Sequence, residues 1–288
     1  MEAEMRIAIS GASGFVGTHL TETFKARGGE PHGLSRKLYT HPKTLKSMLE
    51  GTDSVVNLAG ANIIHRWTKE YKKTMYSSRV DTTNALVVAS AACNRKPGVF
   101  ISASAVGIYA PGGPHTEDNY ILNKGFLGHL AKDWEAAAQR AGDAGIRTVI
   151  FRFGVVLGRN SGALRQMLPA FKMGLGGTIG DGSQPFPWVC IKDLQAAVER
   201  ALTDTSMRGV YNLTAPARDT NSDLTKTLAR VLHRPAFMRV PHFALELRFG
   251  EGAQVITEGQ SVIPERLMKE GFSFTFNKLE DAIRDCLL

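Results

Sequence analysis

Arg6-Ile-Ala-Ile-Ser10 is a short apolar run, and Gly11-Ala-Ser-Gly14-Phe-Val-Gly17 follows it directly. From Thr18 to Ala26 the apolar residues recur at helical spacing. A strand, a glycine turn and a helix in that order open a βαβ unit. The alternation continues outward from this start: Pro31 to Ser35, Ser54 to Leu58, Val99 to Ser102 and Thr148 to Phe153 are short strand-like runs, separated by stretches that can be helical. Such an order calls for a parallel sheet covered by helices on both faces.

The glycine turn carries chemistry as well as shape. Gly11 permits the tight turn, Gly14 lets a pyrophosphate approach the backbone, and Gly17 lets the helix pack closely on the strand. The anion then rests on unpaired N–H groups at the positive end of the helix. The expected fold class is therefore α/β, a Rossmann-type doubly wound parallel sheet, with a smaller mixed C-terminal substrate lobe. At the end of the second strand an acidic residue would accept the ribose 2′-hydroxyl, whereas a cation accommodates a 2′-phosphate. The chain has Leu34-Ser35-Arg36-Lys37 there, with no carboxylate. The planar fork of Arg36 and the hydroxyl of Ser35 suit phosphate, so NADP(H) is preferred over NAD(H); a solvated basic turn is the alternative. Asp53-Ser-Val-Val-Asn-Leu58-Ala59-Gly60 is the next strand with its turn, and small residues at 59 and 60 let the backbone pass near a cofactor.

Composition narrows the remaining classes. With 288 residues, 43% of them hydrophobic, the chain can bury a substantial core, which excludes disorder and fibrous folds. No apolar run approaches the roughly 20 residues of a membrane span, and Met1 to Met5 lead straight into a strand, so a cytoplasmic location with no membrane partner is expected. The net charge of +8 suits a phosphate-bearing small molecule. No nucleic-acid motif accompanies it, and no nucleic-acid partner is expected. Cys93, Cys190 and Cys286 are far apart and lack a CxxC pair, so neither disulfides nor a metal site is expected.

In Trp67 to Ser78 the residues Trp67, Tyr71 and Met75 fall on one helical face. Leu127 to Ala141 reads as a second helix rich in good formers. Beyond Gly154 the alternation weakens. Gly174 to Trp188 is too rich in glycine and proline for a helix, and reads as a long loop in which Phe186 and Trp188 would wall or lid a substrate. Ser222 to Leu232, Glu265 to Glu270 and Leu279 to Cys286 look helical. Residues 5–155 are read as the dinucleotide-binding unit, extending to about 215, with substrate-side segments over 156–239 and a small C-terminal domain over 240–288.

Together these motifs resemble the short-chain dehydrogenase/reductase superfamily, in its extended, epimerase/dehydratase-like branch. More closely the chain is similar to the epimerase-like family 39U, some bacterial members of which carry a cell-division label. NLAGANI at 57–63, SAVG at 104–107, DWEAAA at 133–138, FGVVLGRNSGAL at 153–164, GLGGTIGDGSQPFPWV at 174–189 and GQSVIPERLMKEGF at 259–272 carry the likeness. It implies a cofactor pocket of Gly11, Ser13, Gly14, Phe15, Val16, Gly17, Ser35, Arg36, Leu58, Ala59, Gly60, Arg79 and Val155. Arg79 would reach a cofactor phosphate or a substrate anion, or else serve as a salt bridge at a helix start.

The superfamily uses a serine, a tyrosine and a lysine. Ser104 matches the serine, which would hydrogen-bond the reacting carbonyl, but the matching dyad positions hold Leu127 and Ala131. Lys132 is rotated about 100° from the required face. Tyr109 is the best available proton donor, with an aromatic pocket wall as its other reading, and His129 is expected to be solvated. The resemblance implies an NADP(H)-dependent oxidoreductase or nucleotide-sugar-epimerase-like enzyme, and a homodimer pairing through two helices. The alternative is a non-catalytic NADP(H) sensor or scaffold, linked to cell division.

Overall fold

The computed structural model describes residues 5–159 and 162–287. Strand β1 (Arg6–Ser10), helix α1 (Phe15–Ala26) and β2 (Glu30–Leu34) form the first βαβ unit, and α2 (Pro42–Leu49) leads directly into β3 (Ser54–Asn57). Helices α3 (Lys69–Tyr76) and α4 (Thr82–Ala91) precede β4 (Val99–Ala105), and β5 (Gly112–His115) and α5 (Phe126–Asp143) precede β6 (Arg147–Phe153). Next come β7 (Val155–Gly158), α6 (Gly162–Lys172), β8 (Gly177–Ile179), β9 (Trp188–Cys190), α7 (Ile191–Thr203) and β10 (Gly209–Leu213). The chain ends with α8 (Asn221–Leu232), β11 (Met238–Val240), α9 (His242–Phe249), α10 (Gln254–Thr257), β12 (Gln260–Val262), α11 (Glu265–Lys269) and α12 (Leu279–Leu287).

Six strands make one parallel sheet in the order β10-β6-β4-β3-β1-β2. Alternate side chains enter opposite layers, as the period of a strand requires. Ile7, Ile9, Val56, Val99, Ile101, Val149 and Phe151 pack on the α1 and α7 side. Ala8, Val55, Phe100 and Ile150 pack under α2, α4 and α5. Both faces are apolar because both are covered. The strand order reverses between β1 and β3, and a crevice at the carboxyl ends of strands beside such a switch point is where ligands bind in doubly wound sheets.

The two-stranded pairs β7-β9, β8-β11 and β12-β5 build the second lobe around the carboxyl edge of the sheet. The C-terminal segment is not peripheral. The Arg66 guanidinium donates to the Leu247 carbonyl at 3.0 Å, Lys72 pairs with Glu251 at 2.5 Å, and α12 packs on α8 and β7.

Several expectations need correction. The helix predicted from Trp67 begins only at Lys69, because the Thr68 hydroxyl caps it by accepting from the Tyr71 N–H at 3.1 Å. Trp67 is buried just before the cap. The same helix runs through one π-turn, Ser77–Asp81, into α4. The stretch Gly174 to Trp188 is no open lid: it holds β8 and enters β9. Val155 N–H donates to Pro187 O, Phe186 N–H to Asp219 O and Asn221 N–H to Gln184 O. Trp188 is fully buried with its indole N–H on Asp219 at 2.7 Å, so it belongs to the core and cannot swing over a substrate.

Candidate functional site

The crevice starts from Gly11, at φ +72°, where a side chain would lie 2.8 Å from the Leu58 carbonyl oxygen. A Cβ on Gly17 would run into the Gly11 carbonyl oxygen. The turn thus keeps β1, α1 and the Leu58-Ala59 backbone in van der Waals contact. Gly14 caps α1 without a side-chain hydrogen bond, and no acidic residue occupies the first turn. Ser13 and Gly14 are exposed, while Phe15 and Val16 are half-buried. The Gly14 N–H is spent inside the turn on the Gly11 carbonyl at 3.0 Å, while the amides on either side of it present N–H donors and the positive helix end to one spot. The Phe15 ring itself turns away, against Gly158 and Gly162.

A buried polar lattice holds the floor. The Ser10 hydroxyl donates to Asn57 Oδ1 at 2.6 Å and accepts from the N–H groups of Leu58 and Ala59 at 3.1 and 3.2 Å. Asn57 Nδ2 donates to Thr83 Oγ1 at 2.7 Å, which also accepts from the Trp134 indole at 3.0 Å. None of Ser10, Asn57, Thr83 and Trp134 was singled out from the sequence. An asparagine inside the apolar run 54–58 was the available signal.

Two cationic groups flank this floor. Ser35, Arg36 and Lys37 are exposed at the end of β2, and among the described residues no carboxylate pairs with them. Arg79 lies inside the π-turn, where it donates to the carbonyls of Ala61 at 2.9 Å and Met75 at 3.3 Å and stacks 5.4 Å over Trp134. A side chain on Gly60 would come within 3.0 Å of its guanidinium carbon. Burial pulls the Arg79 pKa down to about 10, with no carboxylate among the described residues to offset it. Among the described residues it makes no helix-start salt bridge. A desolvated cation beside bare amides is suited to an anion. Val155 is half-buried at the start of β7, where its N–H donates to the Pro187 carbonyl at 2.8 Å.

The two expected catalytic hydroxyls sit elsewhere in the chemistry. Ser104 donates its proton to Glu135 Oε1 at 2.6 Å, and Glu135 is held by Arg152 through Nε and Nη2, both at 2.8 Å. A hydroxyl has one proton to give. Ser104 can therefore accept a hydrogen bond from a ligand, but in this arrangement it has no donor left for a reacting carbonyl, and it is sealed from solvent. Tyr109 is fully buried; it accepts from Arg152 Nη1 at 2.7 Å and donates to Asn212 Oδ1 at 2.5 Å. Burial pushes its pKa up to about 12, against the pull of Arg152. Both hydrogen-bonding functions are committed, so a proton-donor role toward substrate is corrected to a structural one. Burial alone would lower the Arg152 pKa, but the paired carboxylate raises it instead.

The Asn212 N–H donates to Glu117 Oε1 at 2.9 Å, and Nδ2 donates to the Ile263 carbonyl at 2.9 Å. The network thereby ties the sheet to the C-terminal lobe. Of the remaining candidates, Leu127 packs on Gly107 and Ala131 is buried, while His129 and Lys132 are exposed.

Residues 7–214 match the NAD dependent epimerase/dehydratase family, and residues 240–286 match a domain of unknown function, DUF1731. Human epimerase family protein SDR39U1 is 38% identical over 291 residues, covering 98% of this chain and 99% of its own. YfhF of Bacillus subtilis (strain 168), another epimerase family protein, is 37% identical over 294 residues and covers 97% of each chain. The crystal structure of human SDR39U1 (isoform 2) with NADPH superposes with a TM-score of 0.91 at 36% identity, over 98% of this chain and 99% of that one. The glycine turn, the switch-point crevice and these full-length likenesses agree: the chain belongs to the NAD dependent epimerase/dehydratase family.

Proposed function

We propose that the protein is an NADP(H)-dependent oxidoreductase or epimerase-like enzyme acting on a small molecule. The observation that carries this reading is the turn Ser35-Arg36-Lys37, cationic and free of carboxylates at the end of β2, in a fold whose bare α1 amides suit the pyrophosphate. The NADPH bound to human SDR39U1 supports it. The residues fit the cofactor: the N–H groups of Ser13, Phe15 and Val16 would hold the pyrophosphate, with Gly14 keeping the backbone bare for its approach, Ser35 and Arg36 would hold the 2′-phosphate, and Leu58, Ala59 and Val155 would form the walls. When bound, the nicotinamide supplies hydride transfer. The chain's own part is to orient that ring on the stiff Ser10-Asn57 floor and to hold an anionic group at Arg79. A cytoplasmic setting suits this chemistry.

Isothermal titration of the purified chain with NADPH and NADH tests the reading. At least tenfold tighter binding of NADPH is expected, and equal affinity, or binding of neither, would sink it.

A second reading, a non-catalytic NADP(H) sensor or scaffold, is favoured by one observation: Leu127 and Ala131 stand where the resemblance places the tyrosine and lysine. NADPH oxidation across sugars, ketones and quinones separates the two. Tight binding with no turnover in any of them favours the sensor.

A further inference from the structure

The ribbon β8-β11 and the helix behind it carry large apolar side chains that the rest of the chain leaves bare. Phe237 is 75% exposed, Phe243 70% and Leu247 77%, and Met238, Met173 and Leu175 are exposed beside them. These residues share one surface. Met238 pairs with Gly177 and Val240 with Ile179, which sets β11 alongside β8. The Pro235 ring lies 3.5 Å from where a side chain on Gly174 would stand, so the turn bearing Met173 and Leu175 borders Phe237. The His242 imidazole packs against Gly180 and brings the first turn of α9 to the end of the same ribbon. Phe243 and Leu247, four residues apart, are on one face of α9, a helix that reads HFALELRF and buries none of its residues. Exposed apolar surface on this scale marks a contact site.

The charges around it indicate what is contacted. Lys172, Arg234, Arg239 and Arg248 are exposed, and among the described residues none of them makes an ion pair. Glu246 on α9 and Asp181 near His242 are the acids close by. A second copy of this chain would set these cations against their own images, which costs free energy. An uncharged apolar partner would leave them without a role. A bilayer rich in acidic phospholipids uses both: phenyl, thioether and leucyl groups enter the boundary between headgroups and acyl chains, while guanidinium groups meet lipid phosphates. We propose that this surface docks the protein on an anionic membrane. The sequence-based expectation of no membrane partner rested on the lack of a spanning segment, and a surface contact requires none. Among the described residues no helix is long and apolar enough to cross a membrane, so the contact would be peripheral.

Co-sedimentation of the full chain with phosphatidylcholine vesicles, with and without a third of phosphatidylglycerol, tests the proposal. Binding is expected only to the anionic vesicles and should weaken with added salt. The triple variant Phe237→Ser/Phe243→Ser/Leu247→Ser and the pair Arg234→Gln/Arg239→Gln should each lower partitioning about tenfold. Lys69→Gln/Lys73→Gln, which removes the same charge from another face of this basic chain, should leave it unchanged. If the triple variant misfolds, as judged by circular dichroism, Leu247→Ser alone serves, with a smaller loss expected. Absence of pelleting with anionic vesicles overturns the proposal, as does equal pelleting of wild type and apolar variants. A dimer in sedimentation velocity that the apolar variants dissolve would assign the surface to a second copy and overturn it too.

Discussion

Arg152 and Glu135 face each other as a two-point ion pair, with Nε on Oε1 and Nη2 on Oε2, each at 2.8 Å, and both side chains almost sealed from water. Ser104 and Tyr109 hang on its two ends. Removing one partner leaves a buried charge alone, which typically costs about 3–5 kcal/mol. Arg152→Met should therefore lower the urea midpoint by that much stability, whereas Arg152→Met/Glu135→Met should recover most of the loss. Equilibrium denaturation of both variants decides, and a double variant no better than the single one would refute the uncompensated-charge account.

Tyr109→Phe removes a hydroxyl that serves Arg152 and Asn212 at once. Leaving such buried groups unpartnered costs about 1–3 kcal/mol. NADPH affinity should stay within twofold of wild type, because Tyr109 is fully buried and its hydroxyl is spent on Arg152 and Asn212. A large loss of turnover on an identified substrate with stability intact would restore a catalytic role.

What could be read from the sequence followed the range of the interactions. The glycine turn and Arg36 act through neighbours a few residues away, so their placement was legible, as were β1, β3, β4 and β6, each an apolar run bounded by turn residues, and β2, in which only Leu34 is buried. β10 was missed because Asn212 interrupts its apolar pattern, and that asparagine is buried on account of partners at 109, 117 and 263. Helix α4, Thr-Thr-Asn-Ala-Leu-Val-Val-Ala-Ser-Ala, is buried on several sides and so shows no single apolar stripe. Trp188 read as lid material because glycine content signals a loop, while its partner Asp219 stands 31 residues away. The roles of Ser104 and Tyr109 turned on Glu135 and Arg152, and only the folded chain shows where their protons point.

Arg36→Ala isolates the cofactor preference. A hydrogen bond from a guanidinium to phosphate is worth about 1.5–3 kcal/mol, so NADPH should bind roughly 10- to 150-fold more weakly while NADH is unaffected. Fluorescence titration with both nucleotides measures this. An equal loss for both would mean that Arg36 does not hold the 2′-phosphate.

His32, on β2, has its pKa lowered from 6.5, chiefly by burial, and among the described residues its Nε2 has no hydrogen-bond partner. The unfolded chain therefore takes up a proton at a higher pH than the native one does. Stability should fall as pH drops through 6.5 toward the depressed native value and be flat in this respect above it. His32→Asn should flatten that part of the melting temperature profile between weakly acidic and neutral pH. An unchanged slope would assign the dependence to other groups.

Arg152 is buried and Arg79 half-buried, and they should respond to mutation in opposite ways. Arg152 leaves Glu135 behind, whereas no carboxylate among the described residues depends on Arg79, whose hydrogen-bond partners among them are two backbone carbonyls beside the Trp134 ring. Arg79→Met should therefore change the stability of the cofactor-free protein by less than about 1 kcal/mol, as relief of desolvation offsets two hydrogen bonds to carbonyls. The ligated protein should differ: the NADPH-induced rise in melting temperature should shrink, since Arg79 gains its missing anion only when the crevice is filled. Thermal melts with and without NADPH separate the two effects. Were Arg79→Met to destabilise the cofactor-free protein as severely as Arg152→Met does, Arg79 would be a structural cation and the crevice would lack its anion-holding group.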